Sequence, residues 1–116
     1  MHELSLAENI MQIIEETALE QKFTRDTRVK TVWLEIGQLA CVEQESLRFY
    51  FDVVTQDSIA QQAKLEIIEI AGQALCNQCD HNVPITTHYE ACPHCGNYAL
   101  RVIQGDGMQI KELEVV

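Results

Sequence analysis

The sequence predicts an α+β fold: two helices on a three-stranded sheet, with a four-cysteine module inserted ahead of the last strand. Three observations carry that expectation. Two segments repeat apolar residues at helical spacing, three others are rich in β-forming residues, and four cysteines stand in two pairs between the last two of those strands.

The first helix is expected from Ser5 to about Gln21. Leu6, Ile10, Ile13, Ile14 and Ala18 recur at helical intervals, while Glu8, Gln12, Glu15 and Glu16 fall elsewhere. Ser5-Leu6-Ala7-Glu8 has the spacing of a capping box, in which Ser5 and Glu8 would satisfy two unpaired amides at the helix start. From Val29 the pattern changes to alternation, with Val32, Leu34 and Ile36 on one face and Thr31, Trp33 and Glu35 on the other. That predicts a strand ending at Gly37. Leu47, Tyr50, Phe51 and Val54 fall at i, i+3, i+4 and i+7 and predict a second amphipathic helix, Glu45 to about Thr55. Leu65–Ile70 and Met108–Val115 read as strands with a phase slip in each, and Leu100–Ile103 as a short strand before the Gly105-Asp106-Gly107 turn. The expected division is 1–71 plus 106–116 for the main domain and 72–105 for the insertion.

Within the insertion, Cys76, Cys79, Cys92 and Cys95 form two Cys-x-x-Cys turns separated by 12 residues. Each turn folds two sulfurs toward one point, and two turns complete a tetrahedral thiolate site of the kind zinc favours. The intervening loop is shorter than the ~15–20 residues usual for this pattern. Four thiolates also suit iron, and paired cysteines can form disulfides or a redox couple. Met1-His2-Glu3 opens no secretory signal, so a reducing cytoplasm is expected, in which persistent disulfides are disfavoured. Zinc is the preferred reading, and it would stabilise a module with few apolar residues by on the order of 10 kcal/mol.

Composition narrows the function. At 116 residues the chain is one compact unit or a small domain with a satellite, too short for a large enzyme. Its 18 acidic against 8 basic residues give a formal charge of −10, which removes the attraction on which nucleic-acid binding depends. A protein partner or a cationic ligand fits that charge better. No apolar run reaches the ~18 residues of a membrane span. No Gly-x-Ser-x-Gly elbow, His-Glu-x-x-His helix or phosphate-binding loop is present, and nothing pairs a nucleophile with a base, so an enzyme is not expected. Cys41 is the odd thiol, expected as a small buried hydrophobe without a role.

The N-terminus offers a second metal site. The Met1 amine, the His2 backbone nitrogen and the His2 imidazole can close adjacent small rings around one cation, with the Glu3 amide or a carboxylate as a fourth donor. Planar nitrogen coordination selects nickel(II) or copper(II). The competing reading is a mobile terminus with an incidental histidine.

Met1-His2-Glu3-Leu4-Ser5, the segment Trp33-Leu34-Glu35-Ile36-Gly37 and the later cysteine pairs, taken in that order, resemble the HypA/HybF family of hydrogenase nickel-incorporation proteins over essentially the whole chain. The resemblance implies a cytoplasmic nickel metallochaperone for [NiFe] hydrogenase maturation. Met1, His2 and Glu3 would carry nickel as transferable cargo, and Glu43 is a further candidate beyond the first strand. Cys76, Cys79, Cys92 and Cys95 would hold structural zinc. The GTPase HypB and the hydrogenase large-subunit precursor would be its partners, with the chain a monomer or homodimer. Histidines often flank the cysteines in that family. Here His81 follows the first pair and His94 lies inside the second, while Gly96 and Asn97 follow Cys95, which departs from the pattern; His88 is expected in solvent. The alternative function is a zinc-ribbon adaptor that joins proteins without delivering metal.

Overall fold

The computed structural model describes residues 2–116. Along the chain run α1 (Glu3–Glu20), β1 (Val29–Gly37), a 3-10 turn (Gln38–Ala40), α2 (Gln44–Val54), β2 (Lys64–Ile70), β3 (Gln73–Cys76), β4 (Asn82–Pro84), β5 (Leu100–Gln104) and β6 (Met108–Val115). The strands form two sheets, ordered β2-β1-β6 and β4-β3-β5. This is the expected α+β fold, with the second small sheet belonging to the four-cysteine module. Contacts divide the chain into two compact units: the segment through Leu34 with Val42–Glu66 and Ile110–Val116, and Glu35–Cys41 with Ile67–Gln109.

The helix start differs from expectation. His2 is the extended N-cap of α1, with φ −86° and ψ 97°, and no side chain caps it. The first turn closes through the Leu6 amide on the His2 carbonyl at 3.2 Å. Ser5 and Glu8 therefore lie inside the helix and form no capping box. Leu4 and Glu3 are good helix formers, and a carboxylate at Glu3 suits the positive end of the helix, so the helix extends beyond the cap that Ser5 offered.

In the first unit, α1 buries Ala7, Ile10, Met11 and Ile14 and packs against α2, which buries Leu47 and Phe51. β1 is the central strand of its sheet, and Val29, Val32 and Leu34 are fully or almost fully buried. Thr31, expected on the open face, is buried as well, its hydroxyl donating to Glu114 Oε1 at 2.8 Å, and Trp33 is half-buried. A central strand is covered on both faces more completely than simple alternation suggests. Arg28 and Val116 exchange both backbone hydrogen bonds, 3.0 and 2.9 Å, the signature of an antiparallel pair.

Glu43 caps α2. Its carboxylate accepts the Ser46 amide at 2.6 Å and the Glu45 amide at 3.3 Å, and the Ser46 interaction holds its pKa below the ordinary carboxylate value. A carboxylate whose pKa falls on folding stabilises above its unfolded pKa and loses that contribution as pH drops through the folded one. Glu43→Ala should therefore speed amide exchange in the first turn of α2 at neutral pH, and the difference from wild type should fade as pH falls below the ordinary glutamate range and through the lowered folded pKa. An unchanged difference in acid would assign the effect to something other than the carboxylate.

The second unit is built on β3, antiparallel to both neighbours, with Leu75 opposite Asn82 and Cys76 opposite Leu100. β3 and β4 were not expected, because segments of four and three residues show no period. Leu39, Ala74, Cys76, Val83, Ile85 and Cys92 make its core. Gly37 is fixed by crowding: a Cβ there would stand 2.0 Å from the Gly105 carbonyl oxygen, which accepts the Leu39 amide at 2.7 Å. Gly105 itself needs φ +91°, a conformation glycine adopts without strain. Cys41 is not the buried residue expected. It is exposed in a left-handed conformation, φ 56°, closing the 3-10 turn.

Candidate metal centre

The two Cys-x-x-Cys segments adopt the same backbone. In each, the fourth residue after the first cysteine returns its amide to that cysteine's carbonyl: Asp80 to Cys76 at 2.9 Å, Gly96 to Cys92 at 2.8 Å. In each, the first cysteine's amide bonds the carbonyl five residues on, His81 at 3.0 Å and Asn97 at 2.8 Å. The turn demands a left-handed residue at the fourth position, and Asp80 (φ 58°) and Gly96 (φ 76°) supply it. Glycine and aspartate both tolerate that conformation. Gly96 thus serves the turn itself.

The four sulfurs that result lie within 4.8 Å of one another. Cys76 and Cys95 are 3.6 Å apart, as are Cys79 and Cys92. A disulfide would be about 2.05 Å long. A tetrahedron with metal–sulfur distances of about 2.3 Å has edges of about 3.8 Å, so the spacing fits structural zinc. The surroundings of the thiols point the same way. The Cys79 amide, helped by that of Gln78 and opposed by burial, brings the Cys76 thiol down to about 7. Cys79 is pushed up to about 12: the His81 amide is its largest single influence and lowers it, but burial and the Cys76, Cys92 and Cys95 sulfurs together outweigh it. Cys95 rises likewise, against the lowering effect of the Asn97 amide. Sulfurs this close resist carrying several negative charges together, and a cation at their centre would relieve that repulsion.

Three residues near the cluster occupy places that spacing did not disclose. His81 and His94 stack face to face, centroids 4.5 Å apart and planes 18° apart. His88 is exposed as expected, yet its Nε2 lies 3.0 Å from the Leu39 carbonyl, the oxygen that also receives the Cys41 thiol at 3.6 Å.

The N-terminal residues lie in a different setting. His2, Glu3 and Leu4 line a cleft of about 280 Å³ together with Ser46 and Tyr50 of α2. Glu3 Oε2 is buried there without a hydrogen-bond partner among the described residues. Met1 lies outside the described residues. Glu43 does not line the cleft; its carboxylate is engaged at the Ser46 amide, one turn from Tyr50. Ser46 and Tyr50 were missed in the sequence, where Tyr50 reads simply as one apolar position of an amphipathic helix.

A two-helix α+β unit joined to a four-cysteine module defines a class of small metal-binding proteins. The family model described as "Hydrogenase/urease nickel incorporation, metallochaperone, hypA" matches residues 1–115. The chain is 56% identical over 115 residues to the hydrogenase maturation factor HypA of Azotobacter chroococcum and 53% identical to that of Azotobacter vinelandii, each match covering 99% of both chains. In fold it is similar to the solution structure of the nickel metallochaperone HypA from Helicobacter pylori, with a TM-score of 0.73 at 22% identity, covering 98% of this chain and 97% of that one. The chain belongs to the HypA family of hydrogenase maturation factors.

Proposed function

We propose that this protein carries nickel(II) at its N-terminus and delivers it to the large-subunit precursor of [NiFe] hydrogenase, with the GTPase HypB as partner. The observation that carries the reading is the buried Glu3 Oε2, beside His2 in one cleft and without a hydrogen-bond partner among the described residues. A buried carboxylate oxygen without a donor is costly unless a cation or a donor meets it. The helix start adds to this. The first four amides of a helix have no partner within it, so the His2 and Glu3 nitrogens are free to serve as donors. Met1, His2 and Glu3 hold the cargo in this reading, and Glu43 acts through its cap of α2, which carries Ser46 and Tyr50 to the cleft.

Cys76, Cys79, Cys92 and Cys95 hold zinc as scaffold. Division of labour follows 1–71 plus 106–116 for nickel and 72–105 for zinc. The protein acts in the cytoplasm as a carrier rather than a catalyst. With no phosphate-binding loop in the sequence, nucleotide-coupled release falls to the GTPase.

Placing one extra residue before Met1 moves the amine away from His2 and should abolish tight nickel binding in a spectroscopic titration, with zinc content unchanged. Equal affinity in the extended and native chains would remove the amine from the ligand set. Wild-type protein that binds no nickel yet still binds its partners would favour the adaptor reading.

A further inference from the structure

We propose that a basic cleft on the two-helix unit is a docking site for an acidic, partly apolar segment of a partner protein. In a chain of charge −10 with only 8 basic residues, Lys22, Arg25, Arg28 and Lys30 fall within nine consecutive positions. Arg25, Arg28 and Lys30 are exposed and together line a cleft of about 790 Å³. Asp57 is the one acidic residue in its wall. Among the described residues the ion pair found is Lys64–Glu66, so none of these three cations is held in an ion pair there.

The cluster is also held ready. Arg28 Nη1 donates to the Arg25 carbonyl at 2.8 Å and the Thr27 carbonyl at 2.9 Å, which fixes the guanidinium and leaves its other donors for a ligand. The cleft carries apolar surface beside the charge. Ile59 is half-buried and Val116 is 72% exposed. The Val29 amide is already bonded to the Ile59 carbonyl and Arg28 to Val116, so recognition falls to side chains rather than to strand addition.

A polypeptide bearing carboxylates between apolar residues meets both kinds of surface, whereas a compact phosphate ligand leaves Ile59 and Val116 unused. Charge balance defines how such a segment would arrive. Beyond a Debye length, about 8 Å at physiological salt, the protein's net negative charge is screened, and only the local cations act on an approaching carboxylate.

The test uses the full-length, zinc-loaded protein and a six-residue peptide alternating glutamate and leucine. Amide shifts should concentrate at 25–30 and 57–62. The double variant R25Q/K30Q, which leaves the Arg28 anchor intact, should weaken binding by about fivefold or more. The control R101Q/K111Q, which removes two exposed charges elsewhere, should leave binding unchanged. Equal weakening in both variants would overturn the proposal, as would tripolyphosphate shifting the same amides with equal or greater affinity. So would concentration-dependent dimerisation that R25Q/K30Q abolishes, since the occupant would then be a second copy of this chain.

Discussion

Removing zinc with a strong chelator, or replacing Cys92 by serine, should unfold the four-cysteine unit and leave the helices of the other unit in place. The buried apolar core of that unit is six residues, of which Cys76 and Cys92 belong to the candidate metal cluster and Ala74 contributes little area. Ordering its backbone costs about 1–2 kcal/mol per residue, and so few side chains cannot offset that. In the proposed reading the two cysteine turns and the strand β3, which begins one of them, would therefore be maintained by the metal, whose binding contributes on the order of 10 kcal/mol in sites of this kind. Amide exchange resolves the outcome by residue. Protection should be lost at Ala74, Cys76, Val83 and Ile85 and retained at Ile10, Ile14, Leu47 and Phe51. Metal-free protein that keeps protection in β3 and β4 would show that the apolar core suffices and would refute zinc as scaffold.

His2→Ala should remove nickel binding while leaving zinc and helix content unchanged. The expected loss exceeds the ~10–100-fold that accompanies loss of a mere supporting partner at a metal site, because the imidazole is itself a donor in the proposed set. The structure adds a reason why the set must be anionic. With the helix starting at Glu3, the cargo would sit against the positive end of the α1 dipole, which opposes a divalent cation by about 0.3–1 kcal/mol. Ionised amides and the Glu3 carboxylate offset that, and a donor set balanced against a repulsive dipole favours release to a partner. Copper(II) should bind the same residues more tightly than nickel, so selectivity rests on supply and on the docked partner. Because amine, imidazole and amide must all give up protons, affinity should fall as pH falls. A nickel isotherm for His2→Ala that overlays the wild type would eliminate this arrangement.

Much of the scaffold was legible in the sequence because it is local. The periodicity of Leu6 to Ala18, the i, i+3, i+4, i+7 series from Leu47 and the run Val29–Gly37 each gather their apolar residues on one face in only one regular conformation, whichever partner covers that face. The bounds of β1 and β6 fell where the pattern placed them. The first helix was misjudged at its start because the Ser5–Glu8 signature competes with the helix propensity of the residues before it, and the latter prevailed. β3 and β4 escaped notice because their pairing with each other and with β5 exists only once the cysteine turns have folded back.

The sequence by itself marked Cys76, Cys79, Cys92 and Cys95 as one candidate metal set, since Cys-x-x-Cys spacing is a short-range constraint that any compact fold preserves, and the four sulfurs do come together. It also marked His2 and Glu3 as candidates beside the amine. Tertiary structure alone decided what stands around them. Asp80 and Gly96 became equivalent only when the two turns were seen to share one backbone, and His81 met His94 only through closure of the cluster. Ser46 and Tyr50 reached the cleft of His2 and Glu3 because α1 and α2 pack together, and the cations around Arg28 line one cavity because 57–62 fold over β1's first residue. These contacts join residues up to tens of positions apart, where loop closure rather than local propensity sets which groups meet.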